Sequence, residues 1–377
     1  AIDMYVPALP AVGSGLHVGE SLAQLTLAVN VVGLAAGQLL IGSFSDIVGR
    51  RRLLLVGLAV FVLTSVGCLA ANSLPLLLVM RLMQGFSGAC GPVLARAVVR
   101  DLWSGPAMAR LFSLLTLGTT LAPVVAPLIG AAVLRIGSWR DIFAVLAALG
   151  LVLLVASALL LPETLPAERR HRGGLGQAVG NYRTLLGDRV YRGYALTAGM
   201  LFATLFAYIA GAAFVLETVY SLSPTTFSLI FGVNALGMAV LGQVNARLVR
   251  RFPSRVLLRS VMVAATVADV LLLMAGLLHA PLVLLLVPLF VAVAVLGMGL
   301  PNCTTLAMAN YRSMAGSASA LLGTLQFTVA GVITPLVGLG GRGTVLTMMT
   351  AIMAVAAVAG LLAFSSAAAA DRRTDRS

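Results

Sequence analysis

The chain contains no lysine; all 25 of its basic residues are arginine. Charge of either sign is scarce, at 10% of residues, where a soluble domain carries roughly 25%. Only three cysteines occur, Cys68, Cys90 and Cys303, each alone within an apolar run. That excludes a metal-ligand spacing and an extracellular disulfide framework. The three histidines, His17, His171 and His279, fall at expected loops or helix ends and read as solvated surface. The sequence holds no Gly-rich phosphate loop of the P-loop type and no nucleophile–base constellation, so neither ATP drive nor enzyme chemistry is indicated. The reading is of a non-enzyme with no metal and no other cofactor.

Alternating strands are missing as well. The windows 53–80, 218–246, 313–341 and 343–370 hold no Asp, Glu, Lys or Arg, and the chain as a whole is 60% hydrophobic. Each window exceeds the roughly 20 residues that a helix needs to cross about 30 Å of hydrocarbon. A transmembrane β-barrel would instead alternate with period two in short segments. The expected class is therefore all-α and integral to the membrane. Spans are predicted at 21–41, 52–72, 75–97, 107–134, 139–161, 192–215, 224–246, 255–278, 281–308, 315–339 and 343–366, after a first span that ends near Pro10. Only about ten residues precede the first loop, so that first helix is expected to be truncated.

The net charge of +13 suggests a nucleic-acid binder until its placement is considered. On the side of the 42–52 loop lie three arginines at 50–52, three at 96, 100 and 110, six between 169 and 192, five between 247 and 259, Arg312, and three in the tail. Those make 21; the opposite side has Arg135, Arg140 and Arg342, and Arg81 falls within a span. Such a split is the positive-inside pattern. It predicts twelve spans with both termini cytoplasmic, a lipid bilayer as the basic chain's partner, and no nucleic acid.

One linker and one repeat organise the chain. Residues 162–191 form its longest polar, Arg- and Gly-bearing stretch and separate a six-span bundle at 1–161 from another at 192–377. Gly242, Arg250 and Arg251 echo Gly42, Arg50 and Arg51 at an offset of 200, although Asp46 becomes Ala246 and Gly49 becomes Val249. A second echo sets Ala126-Pro127-Leu128-Ile129-Gly130 against Thr334-Pro335-Leu336-Val337-Gly338. Two pseudo-symmetric six-helix bundles with a site between them follow from this duplication.

Four segments carry candidate function. In 42–52, Gly42 and Gly49 permit close helix approach, Asp46 is placed to receive a helix N-terminal dipole, and Arg50 and Arg51 are placed to pair with carboxylates. Arg81 lies about 9 Å along its helix from Pro75, deep enough that its charge needs a partner or a water-filled cavity. In the fifth span Pro123, Ala126, Pro127 and Gly130 predict a kinked helix with tight contacts. Asp3 is the acid of the first span. Tyr5, Tyr208 and Phe214 offer aromatic surface, and Asn30, Gln84, Asn234, Asn302 and Gln326 offer polar groups to a cavity. Asp269 is the only acid well within the later spans, and the sequence does not place it.

The stretch Gly42-Ser43-Phe44-Ser45-Asp46-Ile47-Val48-Gly49-Arg50-Arg51 resembles the G-x-x-x-D-x-x-G-R-R/K signature of the major facilitator superfamily. Arg81-Leu82-Met83-Gln84-Gly85 resembles the R-x-x-Q-G signature of its proton-coupled members, and Ala126-Pro127-Leu128-Ile129-Gly130-Ala131 a departed form of the antiporter signature G-P-x-x-G-G. Ala1 through Pro10, Leu94 through Asp101 and Phe202 through Ile209 resemble the bicyclomycin/chloramphenicol-resistance (Bcr/CflA) branch. The resemblance extends over essentially the whole chain. It implies a monomeric antiporter of the bacterial inner membrane that exports small amphipathic drugs against protons. Asp3 and Arg81 would serve coupling and the 42–51 segment gating. A proton-coupled importer of a metabolite stays open as an alternative, as does a non-transporting receptor or scaffold.

Overall fold

A computed structural model describes residues 2–103, 105–165, 174–278, 280–311 and 314–338, together with 350, 353–354, 357–361 and 364–365. Among these residues there is no strand. Within the described residues nine helical stretches are long and apolar enough to span a bilayer, and Leu121–Ile136 adds a shorter apolar one.

The helices are α1 (Ile2–Tyr5), α2 (Leu9–Gly15), α3 (Glu20–Val48), α4 (Arg50–Leu69), α5 (Leu74–Gly88), α6 (Cys90–Leu102), α7 (Gly105–Ile136) and α8 (Trp139–Leu160). There follow α9 (Gly174–Gly187), α10 (Arg189–Ala213), α11 (Pro224–Leu248), α12 (Ser254–Leu277), α13 (Leu282–Ala294), α14 (Leu296–Met308) and α15 (Ala315–Ile333). Most of the predicted 343–366 span lies outside the described residues.

Several boundaries differ from the sequence reading. The first span does not stop near Pro10. It runs to Gly15, with a 3₁₀ turn at Val6–Ala8 between α1 and α2, because Pro7 and Pro10 both sit where a helix starts and a missing N–H does no harm. The 42–52 segment is not a loop: α3 continues to Val48, and Gly49 alone breaks it, at φ 106°, before Arg50 opens α4. Only glycine adopts that φ without strain. The 162–191 linker contains α9. The spans predicted at 75–97 and 281–308 are each interrupted, at Ala89 (φ −65°, ψ −21°) and Val295 (φ −64°, ψ −19°). Finally, α10 runs on as a π-helical turn, Phe214–Val219.

Helices in a lipid environment gain little from burying apolar surface against each other, so close packing through small residues carries the fold. A Cβ on Gly85 of α5 would sit 1.9 Å from the Asn30 carbonyl oxygen of α3, and one on Gly33 would sit 2.1 Å from that of Leu82. The second half repeats the device: a Cβ on Gly297 of α14 would sit 1.9 Å from the Met238 carbonyl oxygen of α11. Asn30 and Met238 are 208 positions apart, and Gly85 and Gly297 are 212 apart. The internal repeat seen in the sequence is thus a repeat of backbone contacts.

Between the halves, α3 packs along α15, α7 along α11, and the Val6–Ala8 turn against α10. At the linker, Asp188 caps α10 by accepting from the Val190 amide at 2.9 Å, and its other oxygen accepts from the Tyr311 hydroxyl. Burial and the Asp188 carboxylate push that hydroxyl up to about 12, so Tyr311 remains a donor.

Replacing Gly85 with alanine is expected to cost the fold heavily, since overpacking a core costs about 1–3 kcal/mol or more. Gly118→Ala has nothing within 4 Å of its new Cβ and serves as the control. Thermal melts of both variants in detergent, read by size exclusion, should show a large fall in Tm for the first and no fall for the second.

Candidate functional site

A polar cluster surrounds Arg81, which is fully buried on α5. Its guanidinium donates through Nη1 to Gln84 Oε1 at 2.6 Å and through Nε to the Thr26 carbonyl at 3.3 Å. It lies 4.4 Å above the Tyr5 ring and 5.7 Å from that of Phe143. A desolvated cation–π contact of this kind contributes about 2 kcal/mol. Nη2 meets no hydrogen-bond acceptor among the described residues.

The partners are themselves held. Thr26 Oγ1 donates to the Ala23 carbonyl at 2.6 Å, which leaves it to accept from the Tyr5 hydroxyl at 2.7 Å. Gln84 Nε2 donates to Ser65 Oγ at 2.8 Å, and Ser65 Oγ in turn donates to the Phe61 carbonyl at 2.7 Å. Asn30 Nδ2 donates to the Arg81 carbonyl at 2.9 Å. Five elements, α1, α3, α4, α5 and α8, therefore converge on one guanidinium.

Asp3 is half-buried in the first turn of α1, which packs against α7 and α8. Tyr5, not Asp3, is the first-span residue that touches Arg81. Sequence reasoning placed Tyr5 as drug-facing aromatic surface. It did not single out Thr26, Ser65 or Phe143. Thr26 carried a signal, since it lies four positions before Asn30 and so shares its face of α3.

In the second half Tyr208 stacks on Phe231, with centroids 5.3 Å apart and planes at 17°, and its hydroxyl accepts from Asn234 Nδ2 at 2.9 Å. Asn302 lies elsewhere, donating to Asn245 Oδ1 at 2.7 Å and to the Met298 carbonyl. Gln326 is half-buried on α15, beside a Phe202–Phe206–Phe327 ring cluster. Phe214 opens the π turn and, with Thr218, Pro10, Ser14 and Glu20, walls a cavity of about 180 Å³ at the end of α3 away from Gly49. Asp269 is fully buried on α12, and neither of its oxygens meets a donor among the described residues.

On α7, Pro127 is buried and its carbonyl accepts from Ser228 Oγ of α11 at 3.1 Å. Gly130 lets α1 approach, since a Cβ there would lie 2.1 Å from the Met4 carbonyl oxygen. Pro123 and Ala126 are half-buried on the same helix.

At the Gly49 break, Arg50 is 4% exposed. Its Nε donates to Asp101 Oδ2 at 3.1 Å, Nη1 donates to Ser45 Oγ, and its amide donates to Glu163 Oε1 at 2.8 Å. Arg51 Nη2 donates to the Ala158 carbonyl at 2.7 Å. Gly42 and Asp46 belong to α3, and the Asp46 side chain lies outside the described residues.

The comparisons agree with this architecture. The family model described as Major Facilitator Superfamily matches residues 1–335. An uncharacterised MFS-type transporter of Bacillus subtilis, YdgK, is 40% identical over 340 residues, covering 90% of this chain and 85% of its own. A bicyclomycin resistance protein homolog of Haemophilus influenzae is 30% identical, covering 89% and 84%. Multidrug resistance protein D of Escherichia coli is 29% identical, covering 92% and 88%. Among solved structures, a bacterial homolog of the human lysosomal transporter Spinster, inward-facing and unoccupied, superimposes with a TM-score of 0.75 at 17% identity, covering 98% of this chain and 94% of that one. The chain belongs to the Major Facilitator Superfamily, is a multi-pass bacterial membrane protein, and stands beside the bicyclomycin-resistance branch.

Proposed function

We propose that this chain is a drug exporter that works as a proton antiporter, carrying small amphipathic compounds of the bicyclomycin or chloramphenicol kind by alternating access. The observation that carries the reading is the Arg81 cluster: a fully buried guanidinium within a membrane bundle, held by neutral groups and an aromatic face rather than by a carboxylate. An unneutralised charge there is expensive and marks function by default. The names of two relatives, a bicyclomycin resistance homolog and a multidrug resistance protein, supply the substrate class.

In this reading Asp3 takes the proton. It sits two residues before Tyr5, on a short helix broken by a 3₁₀ turn, where a small rotation changes which residue faces Arg81. Ionised Asp3 attracts Arg81 or a cationic group of the drug, and protonated Asp3 releases both, so proton and drug compete. Tyr208, Phe214, Asn234 and Gln326 supply the second half's share of the cavity, with Asn30 and Gln84 on the first. Gly42, Asp46, Gly49, Arg50 and Arg51 close the arginine-rich end, which faces the cytoplasm together with both termini. The proton gradient is the energy source and no cofactor takes part.

Asp3→Asn is expected to abolish proton-driven efflux while binding of a neutral drug persists. Arg81→Ala should lose transport, and Arg81→Lys should keep a fraction, because lysine retains the charge but not the planar fork. Drug-induced proton release from detergent-purified protein is the measurement. Undiminished release in Asp3→Asn would remove Asp3 from the mechanism.

Orientation has its own test. With the three native cysteines buried, an impermeant maleimide applied to intact cells should label Ser73→Cys, in the exposed turn before α5, and leave Gly187→Cys unlabelled. The reverse pattern would invert the assignment.

A further inference from the structure

The two copies of the arginine signature have opposite electrostatic fates. In the first, Arg50 is buried and neutralised inside the protein by Asp101. In the second, which lacks the acid because Ala246 stands where the first has Asp46, Arg247, Arg250, Arg251 and Arg259 are all exposed. The guanidinium of none of these four makes a hydrogen bond or ion pair with another described residue. The fifth, Arg255, is turned inward to the Tyr194 hydroxyl.

The turn concentrates them. Arg250 N–H donates to the Arg247 carbonyl, and the amides of Arg251 and Phe252 both donate to the Leu248 carbonyl, so α11 passes into α12 through one tight coil. Among the described residues, no carboxylate pairs with these arginines. After residue 192 the acids are Glu217 at the far end of α10, the buried Asp269, and Asp371 and Asp375 in a tail that also carries Arg372, Arg373 and Arg376. Asp188, at the same end, has both oxygens engaged by Val190 and Tyr311. Below the guanidinium groups the surface turns apolar: Phe252, Val256 and Val263 are 48%, 51% and 52% exposed.

Phosphate-binding forks above a lipophilic wall match an anionic phospholipid in both parts. We propose that the α11–α12 junction is a binding site for an anionic phospholipid, with Arg250 and Arg251 on its phosphate and its acyl chains along Val256 and Val263. Lipid phosphate supplies here the counter-charge that Asp101 supplies to Arg50 in the first half.

The test titrates delipidated full-length protein in detergent with phosphatidylglycerol and, separately, with phosphatidylethanolamine, counting bound lipid by native mass spectrometry. Each arginine near a phosphate contributes about a fivefold factor. Arg250→Gln with Arg251→Gln is therefore expected to weaken phosphatidylglycerol about 25-fold and leave phosphatidylethanolamine unchanged. The pair Arg250→Lys and Arg251→Lys should keep most of the affinity. Unchanged phosphatidylglycerol binding in the glutamine variant would overturn the site. So would an equal loss of both lipids, which means general adhesion. Displacement of phosphatidylglycerol by glycerol phosphate at matching concentration would assign the arginines to a free phosphate and overturn the lipid. The readout is independent of drug transport, so it stands or falls apart from the antiport mechanism.

Discussion

A guanidinium fully enclosed by protein is the constraint from which the first half is built. Arg81 is fully buried, so the bundle must supply the hydrogen-bond partners that the solvent would have given. It does so with two carbonyl-type oxygens, Gln84 Oε1 and the Thr26 carbonyl, and with the π-face of Tyr5. Each acceptor then needs its own orientation. Ser65 fixes Gln84, Thr26 fixes Tyr5, and Asn30 ties the Arg81 backbone to α3. Removing one partner of a buried charged group costs more than the same loss between neutral groups. The network therefore ties five helices together, and among the described residues Nη2 of Arg81 meets no acceptor at its centre.

Such a network is only reachable because backbones touch. Gly85 lies one turn beyond Arg81, on the same face of α5, and its missing Cβ lets α3 come close enough for Asn30 to reach the Arg81 carbonyl. The second half keeps the contact, at Gly297 and Met238, without the charge. Both halves also interrupt the equivalent helix, at Ala89 and Val295, with nearly identical backbone angles. Paired discontinuities in repeated halves are a structural pointer to a site near the bilayer midplane.

Span positions were legible in the sequence because charge-free runs leave a helix no alternative in hydrocarbon. That Arg81 would be a buried charge in need of partners was legible for the same energetic reason. Its partner was not. The helical period that would put Asp3 or Tyr5 toward α5 is reset by the Val6–Ala8 turn, so counting residues along the first span cannot decide between them. The Gly49 junction read as a loop because polar and glycine residues usually mark one. Backbone geometry there needs a single residue at positive φ, and Ser45 and Asp46 stay helical. The break at Ala89 had a faint cue in Pro92, whose missing N–H frees the Gly88 carbonyl. Val295 had only the more distant Pro288 and Pro301 on either side.

The polar contacts that cross between the halves are of a different kind. Among the described residues three side chains reach across: Ser21 to the Pro335 carbonyl, Gln24 to the Ala210 carbonyl and Ser228 to the Pro127 carbonyl. All three are neutral donors on backbone acceptors, and two of the acceptors, Ala210 and Pro335, lie where the helix is irregular. Ala210 precedes the π turn, and the Phe214 amide donates to Gly211 instead of to it. Pro335 is in a 3₁₀ turn, and Pro127 is one of two prolines within α7. A neutral hydrogen bond contributes about 0.5–1.5 kcal/mol net. An irregular turn also offers its carbonyl to a new donor at low cost. Among the described residues, charge-assisted bonds hold Arg50 and Arg81 within the first half, whereas the three side-chain bonds that join the halves are neutral. Bond for bond, the seam is therefore held less tightly than the Arg81 network.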